Sequence, residues 1–289
     1  MAAERMLAGI EAGGTKFVLA IGTSPTQIVA RHTIPTRTPD ITLAEAAEWF
    51  ERYGKIDALG IASFGPLELD TSSPDWGKIT NTPKPGWSGC DLAGYLGERL
   101  RVSVGFDTDV NGAALAEYEF GAGRELSSIA YVTVGTGIGG GLVIDGKPVH
   151  GAAHPEMGHI LPRRNTHDHV FPGICPVHGD CLEGLACGPA IGARWGMALS
   201  ELPDHHEGQE IIADYIGQLC HNLFAMTAVE AIAIGGGVLK TRGLLERIGH
   251  AKAAMDAGYL PGKAKQTIVA PELGDGAGIT GALILAART

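Results

Sequence analysis

The sequence has no apolar run approaching the roughly 18 residues of a membrane-spanning helix, and no membrane span is expected. Its opening, MAAERMLAGIEAGG, holds an apolar piece too short for a secretory h-region, and that piece leads into a strand. Basic charge is scarce: 22 Lys and Arg stand against 32 Asp and Glu, a net charge of -10. A nucleic-acid-binding face needs a basic stripe, so this balance argues against a nucleic-acid partner. Cysteine is also scarce. There are five, three of them clustered, which suits a reducing cytoplasm better than a disulfide framework. No Gly-Lys-Ser/Thr occurs, so a Walker A loop is absent.

What the chain has in excess is glycine. The 43 glycines bunch at the ends of apolar runs, where bare backbone can approach a ligand closely. The first bunch follows the strand Met6–Ile10. Glu11-Ala-Gly-Gly-Thr-Lys16 then runs into a second apolar strand, Phe17–Gly22. Backbone N–H groups, the Thr15 hydroxyl and the Lys16 ammonium suit a phosphate, although a plain hairpin turn reads equally well from this piece alone. The second bunch, Gly135-Thr-Gly-Ile-Gly-Gly-Gly141, follows the strand Ile129–Val134 and contains a literal GxGxxG. The segment after it is apolar and ends in Asp145-Gly146, a hairpin signal rather than a helix, which excludes a dinucleotide fold. The two stretches form a repeat about 120 residues apart, the sign of two similar halves facing a shared cleft. A third bunch, Gly235-Gly-Gly237, ends the strand 231–234 and could let a nucleotide base or ribose lie on backbone.

Other elements follow from pattern. Thr42-Leu-Ala-Glu45 reads as a capping box opening a helix to about Tyr53. Ala58–Ala62 reads as a buried strand, 70–89 as a long loop, Asp91–Leu100 as a helix and Val102–Phe106 as a strand. Asn81 lies in the loop beside Trp87, as a turn former or as a ligand for a polar ring compound. Asp109 sits where that last strand meets a helical run, as a helix cap or as a base where open α/β sheets place their ligands. Further helices are expected over 189–199, 207–229, 243–257 and 276–287, and a strand over 267–270.

The densest chemistry lies between Pro155 and Gly184. Cys175, His178 and Cys181 are spaced three apart, with Pro176 and Gly179 as turn residues, so one tight loop can aim three ligands at one point. Thiolate and imidazole are the ligands of structural zinc, and four of them close a tetrahedral site. The fourth would come from upstream: His154, His159, His167 or His169. Glu156 and Glu183 stand near the ends of this stretch, where a pinned loop would hold both over a polar ligand.

In this order, the two Gly/Thr turns, Asp109, Glu156-x-x-His159, the metal loop and Gly235–Gly237 resemble the ROK sugar kinases of the actin/hexokinase-like superfamily. The resemblance spans nearly the whole chain, and EAGGTK with C-P-x-H-G-x-C is most similar to the bacterial fructokinase branch. It implies an α/β fold of the duplicated actin-like ATPase (ribonuclease H-like) type, with two domains around a cleft. One would be 1–112 plus the C-terminal helix at about 276–289, the other 113–275. It implies a cytoplasmic, commonly dimeric enzyme that uses Mg2+-ATP to phosphorylate a hexose at its 6-hydroxyl, fructose first, with mannose or glucose as alternatives.

Carried over residue by residue, the first phosphate turn falls on Gly13, Gly14, Thr15 and Lys16, and the second on Gly135, Thr136 and Gly137. The nucleotide glycines fall on Gly235, Gly236 and Gly237, and the catalytic base on Asp109. Sugar contacts fall on Asn81, Asp109, Glu156, His159 and Glu183. His159 is then the upstream ligand of one structural zinc, with Cys175, His178 and Cys181. Two departures stand out: Glu11 replaces the family's common Asp, which bears on how magnesium is oriented, and C-x-x-H-G replaces C-x-C-G. Two rivals remain, a sugar-responsive regulator on the same scaffold and a zinc-stapled interaction protein. The first would carry a DNA-binding segment ahead of the first turn. Asp109 and both phosphate turns oppose the second.

Overall fold

A computed structural model describes residues 5–262 and 264–289. The fold is mixed α/β with two five-stranded sheets of one topology, as the repeat implied. The first sheet has the order β3-β2-β1-β4-β5, built from β1 (Leu7–Ala12), β2 (Lys16–Ser24), β3 (Gln27–Pro35), β4 (Ala58–Ser63) and β5 (Ser103–Thr108). β1 pairs antiparallel with β2 and parallel with β4, and β4 pairs parallel with β5. The second sheet has the order β10-β9-β6-β7-β8, from β6 (Ser128–Val134), β7 (Ile138–Ile144), β8 (Lys147–Pro148), β9 (Ala231–Gly235) and β10 (Thr267–Val269). β6 pairs antiparallel with β7 and parallel with β9, the same pattern over again. The chain divides into two compact units, one of residues 1–116, 147–155 and 275–289 and the other of 117–146 and 156–274.

The first sheet is buried by pattern. Ile10, Leu19, Ile21, Leu59 and Ile61 are fully buried in one core with Phe17, Phe50 and Trp87. Three glycines, Gly9, Gly60 and Gly105, stand in register across β1, β4 and β5. They form a trough for the helix α8 (Ala277–Ala287). A side chain at Gly60 would collide with the backbone of Ala282 and Ala286, one at Gly105 with that of Leu285, and one at Gly9 would press on Leu283 at 3.0 Å. The helix α8, apolar but for Thr280 and buried from Ala277 to Ala286 apart from Gly278, is what the trough holds.

Three sequence expectations change. The first helix, α1 (Pro39–Glu51), opens three residues before the expected capping box, because Pro39 takes the first helical position with Thr38 as its cap. Thr42 is inside that helix, and its hydroxyl accepts the Arg37 N–H at 2.9 Å. β3 has only Ile34 buried, so the apolar pattern that would reveal a strand is missing. The glycine bunch 135–141 is also two things. Residues 135–137 turn, whereas Gly139–Gly141 lie within β7. Asp145 and Gly146 form the expected hairpin turn, with φ of 49° and 74°.

Candidate active site

In the first unit, the turn between β1 and β2 is tied down from both sides. Gly13 N donates to Lys16 O at 3.0 Å, Thr36 Oγ1 to Gly13 O at 2.7 Å, and Thr36 N to Thr15 O at 2.9 Å. The Lys84 ammonium donates to Gly14 O. Gly14, Thr15 and Lys16 are exposed. Glu11, in β1 just ahead of this turn, is half-buried, and burial raises its carboxyl above the usual range against the pull of Arg31 and Lys16. Its carboxyl lies against Gly278 in the first turn of α8, where any side chain would collide with it. The longer acid is accommodated because that helix residue is glycine.

Asp109 is half-buried at the start of α3 (Asp109–Phe120). The capping of that helix falls to Thr108, whose Oγ1 accepts the Asn111 N–H at 3.1 Å. Asp109 Oδ1 accepts the Val110 N–H at 2.9 Å. Asp107, the other carboxylate of the motif, is buried and committed. Its Oδ1 accepts from Thr108 N (2.7 Å), Asn111 Nδ2 (2.8 Å) and His150 Nε2 (3.1 Å).

The hydrogen bond to Asp107 raises the pKa of His150 above the ordinary imidazole value, in spite of partial burial. A raised folded-state pKa means that this pair stabilises fully below the ordinary imidazole range and stops doing so as pH rises through the raised value. The melting-temperature gap between wild type and His150→Gln should therefore be widest in mild acid and shrink toward alkaline pH. Thermal melts across that range check it. A gap that widens with pH would show the pair is not ionic.

In the second unit, Glu156 is exposed and opens a 3-10 turn, Met157–His159, with His159 N donating to Glu156 O at 3.0 Å. This turn presses on β7. Met157 packs where a side chain at Gly140 would be, and Gly158 sits against the Ile138 backbone. The glycines within β7 are thus accounted for by packing. His159 meets Cys175, His178 and Cys181, with all four ligand atoms within 4.8 Å of one another. His159 Nδ1 lies 3.4 Å from Cys181 Sγ and 3.9 Å from Cys175 Sγ, and His178 Nδ1 lies 3.8 Å from Cys175 Sγ. His154, His167 and His169 are not in the group. Burial, with the Cys175 sulfur beside it, pushes the Cys181 thiol up to about 11. A cation held here would have to displace that proton, as metal-binding thiols do.

Cys181 occupies the N-cap position of α4 (Leu182–Ala186), and Glu183 lies in that helix's first turn. Glu183 Oε2 accepts the Ile138 N–H at 2.8 Å and fills the space beside Gly137. The structure thus brings Glu183 to the second glycine turn. That turn is closed by Gly135 N donating to Gly137 O at 2.9 Å, and Gly188 N donates to Gly135 O at 2.7 Å.

Beside it opens a cavity of about 370 Å³, lined among others by Gly135, Thr136, Gly188, Gly237, Val238 and Thr241. Gly237 faces it. Gly235 and Gly236 pack instead against the Tyr131 hydroxyl and the Val134 backbone. The Thr241 hydroxyl is buried with no protein partner. Gly188, Val238 and Thr241 had no signal in the sequence, because two segments about 50 residues apart supply them. In the first unit, Asn81 is exposed on the long loop, one residue after Thr80, whose N–H donates to Pro66 O at 2.8 Å.

The sequence profile of the ROK family matches residues 7–289. The chain belongs to the ROK family. This ROK chain is 47% identical over 285 residues to a fructokinase of Zymomonas mobilis, covering 96% of this chain and 95% of that one. It is 42% identical over 286 residues to a putative fructokinase of Bacillus subtilis, covering 97% and 95%. Its fold superposes on the ROK hexokinase of Thermus thermophilus with a TM-score of 0.78 at 25% identity, over 98% of both chains. Among its described residues no helix is long and apolar enough to cross a membrane.

Proposed function

We propose that this ROK protein is a fructokinase, transferring the γ-phosphoryl group of ATP to the 6-hydroxyl of D-fructose. The observation that carries the reading is the near full-length likeness, at 47% identity, to the Zymomonas mobilis fructokinase. The geometry supports the following roles for this chain's own residues. Asp109 accepts the hydroxyl proton, since the helix cap is Thr108 and Asp107 already accepts three hydrogen bonds. The turn at Gly135, Thr136 and Gly137 and the cavity beside it take the nucleotide, with the unpartnered Thr241 hydroxyl available to it. The turn at Gly13, Gly14, Thr15 and Lys16 offers exposed backbone and an ammonium to phosphate. Asn81, Glu156, His159 and Glu183 serve the hexose hydroxyls, Glu183 with the oxygen that Ile138 does not use.

Phosphoryl transfer is catalysed mainly by positioning and charge neutralisation. Magnesium, when bound with ATP, would supply charge neutralisation, and Glu11 would be the carboxylate of this chain to help hold it: a half-buried acid whose raised pKa a nearby cation would lower. The His159, Cys175, His178 and Cys181 donors fit one structural zinc, being a closed set of two imidazoles and two thiols gathered at one point.

A coupled ADP-release assay across fructose, mannose, glucose and N-acetylated hexoses tests the substrate. Fructose should give the highest kcat/KM. ATP left intact with every sugar would replace this reading with a non-catalytic sugar-binding one.

A further inference from the structure

We infer that His154 is a positioning residue for the hexose site, fixing the loop that carries Asn81 and so setting affinity and selectivity for the sugar. The inference rests on the reading of Asn81 as a hexose contact. His154 has metal-ligand chemistry but takes no part in the metal group. Its Nε2 accepts the backbone N–H of Leu67 at 2.9 Å instead.

That bond lies on a strategic strand pair. Leu67 and Ile79 form an antiparallel bridge, flanked by Thr80 N donating to Pro66 O at 2.8 Å and Glu68 N donating to Lys78 O at 2.9 Å. This makes Leu67 and Ile79 a non-hydrogen-bonded pair, in which each residue's own N–H points away from its opposite. The Leu67 N–H must therefore find an acceptor on the far side. Leu67 is 4% exposed, and the imidazole is the acceptor present. The Thr80 hydroxyl adds a second bond to Pro66 O at 3.1 Å, and Asn81 comes next. A continuous chain of backbone bonds thus runs from His154 through Leu67, Pro66 and Thr80 to Asn81.

The chemistry fixes the tautomer. Nε2 can accept only when the proton sits on Nδ1, which faces Pro155 O at 3.4 Å. A glutamine at this position can place a carbonyl oxygen near Nε2 and accept the same N–H, whereas an alanine leaves a buried donor unpaired.

The test is steady-state kinetics on wild type, His154→Ala and His154→Gln, with both substrates varied. Alanine should raise the fructose KM about tenfold, the effect of one buried donor left unpaired, and lower the kcat/KM ratio of fructose to mannose. The ATP KM should not move, and glutamine should restore most of the loss. An unchanged fructose KM in the alanine variant, an equal rise in both KM values, or a glutamine variant as impaired as alanine would each overturn the inference. Nitrogen NMR of the wild-type imidazoles, with the His154 resonance assigned by its loss in His154→Gln, reads the tautomer without relying on the alanine variant folding. A protonated Nε2 would overturn the inference too. If wild type turns over no hexose, the kinase reading falls; calorimetric fructose titration of the same variants then decides the role of His154.

Discussion

Replacing Asp109 with asparagine should lower kcat by about 10²–10⁴-fold, the range for loss of a general base, while ATP and fructose still bind. The substitution keeps size and shape and removes only the capacity to take a proton. The helix start survives, because Thr108 rather than Asp109 accepts the Asn111 N–H. Asp107 cannot take over easily: it is buried, and donation from Thr108, Asn111 and His150 holds it in place. Pre-steady-state ADP release together with equilibrium titration of both substrates checks the claim. Turnover close to wild type in Asp109→Asn would mean the proton leaves by another route, and Asp107→Asn would then be the variant to examine.

The second large effect concerns the metal group. Purified protein should carry one zinc per chain, and Cys175→Ser should lose it. Structural zinc can contribute on the order of 10 kcal/mol to ordering its segment. Here the segment is short and closed on itself: Cys175 and Gly179 exchange both backbone hydrogen bonds, at 3.1 and 2.9 Å, and Ile174 N donates to Gly184 O at 3.0 Å. Cys181 occupies the N-cap position of α4, so disturbance at the ligand cluster passes directly to Glu183, two residues on in the helix's first turn. The Glu183 bond to Ile138 N extends it to the second glycine turn. The fructose KM should therefore rise strongly in Cys175→Ser, with a smaller rise for ATP. Elemental analysis, and activity before and after chelation, measure this directly. Metal-free protein with full activity and an unchanged melting temperature would rule out the zinc reading.

What could be read from the sequence was whatever is local. The three-residue spacing of Cys175, His178 and Cys181 announces a ligand loop by itself, and Asp145-Gly146 announces a hairpin and so disposes of the literal GxGxxG before it. The two similar sheets were visible as a repeated strand-turn-strand pattern. What could not be read needs partners distant in sequence. Glu183 meets Ile138, 45 residues away, and Leu67 meets His154, 87 residues away. The cavity beside the second glycine turn draws on 135–136, 188–200 and 237–241; glycine bunches mark the first and last of these, but nothing local marks 188–200. β3 was hidden because an edge strand with one buried residue shows no apolar alternation. The helix at Pro39 was misplaced because Thr42 and Glu45 imitate a cap that proline had already made unnecessary.

The glycine trough of the first sheet has a consequence for biosynthesis. Its strands are made before the second unit, yet the helix that fills it, α8, comes after the whole of 156–274. On the ribosome the second unit can complete its own core while the first still has an open apolar face. The first unit, begun first, is finished last. Until α8 arrives, β1, β4 and β5 present an apolar, glycine-lined surface of the kind that invites wrong partners. Chains stalled or truncated before residue 277 should therefore bind holdase chaperones through the N-terminal sheet.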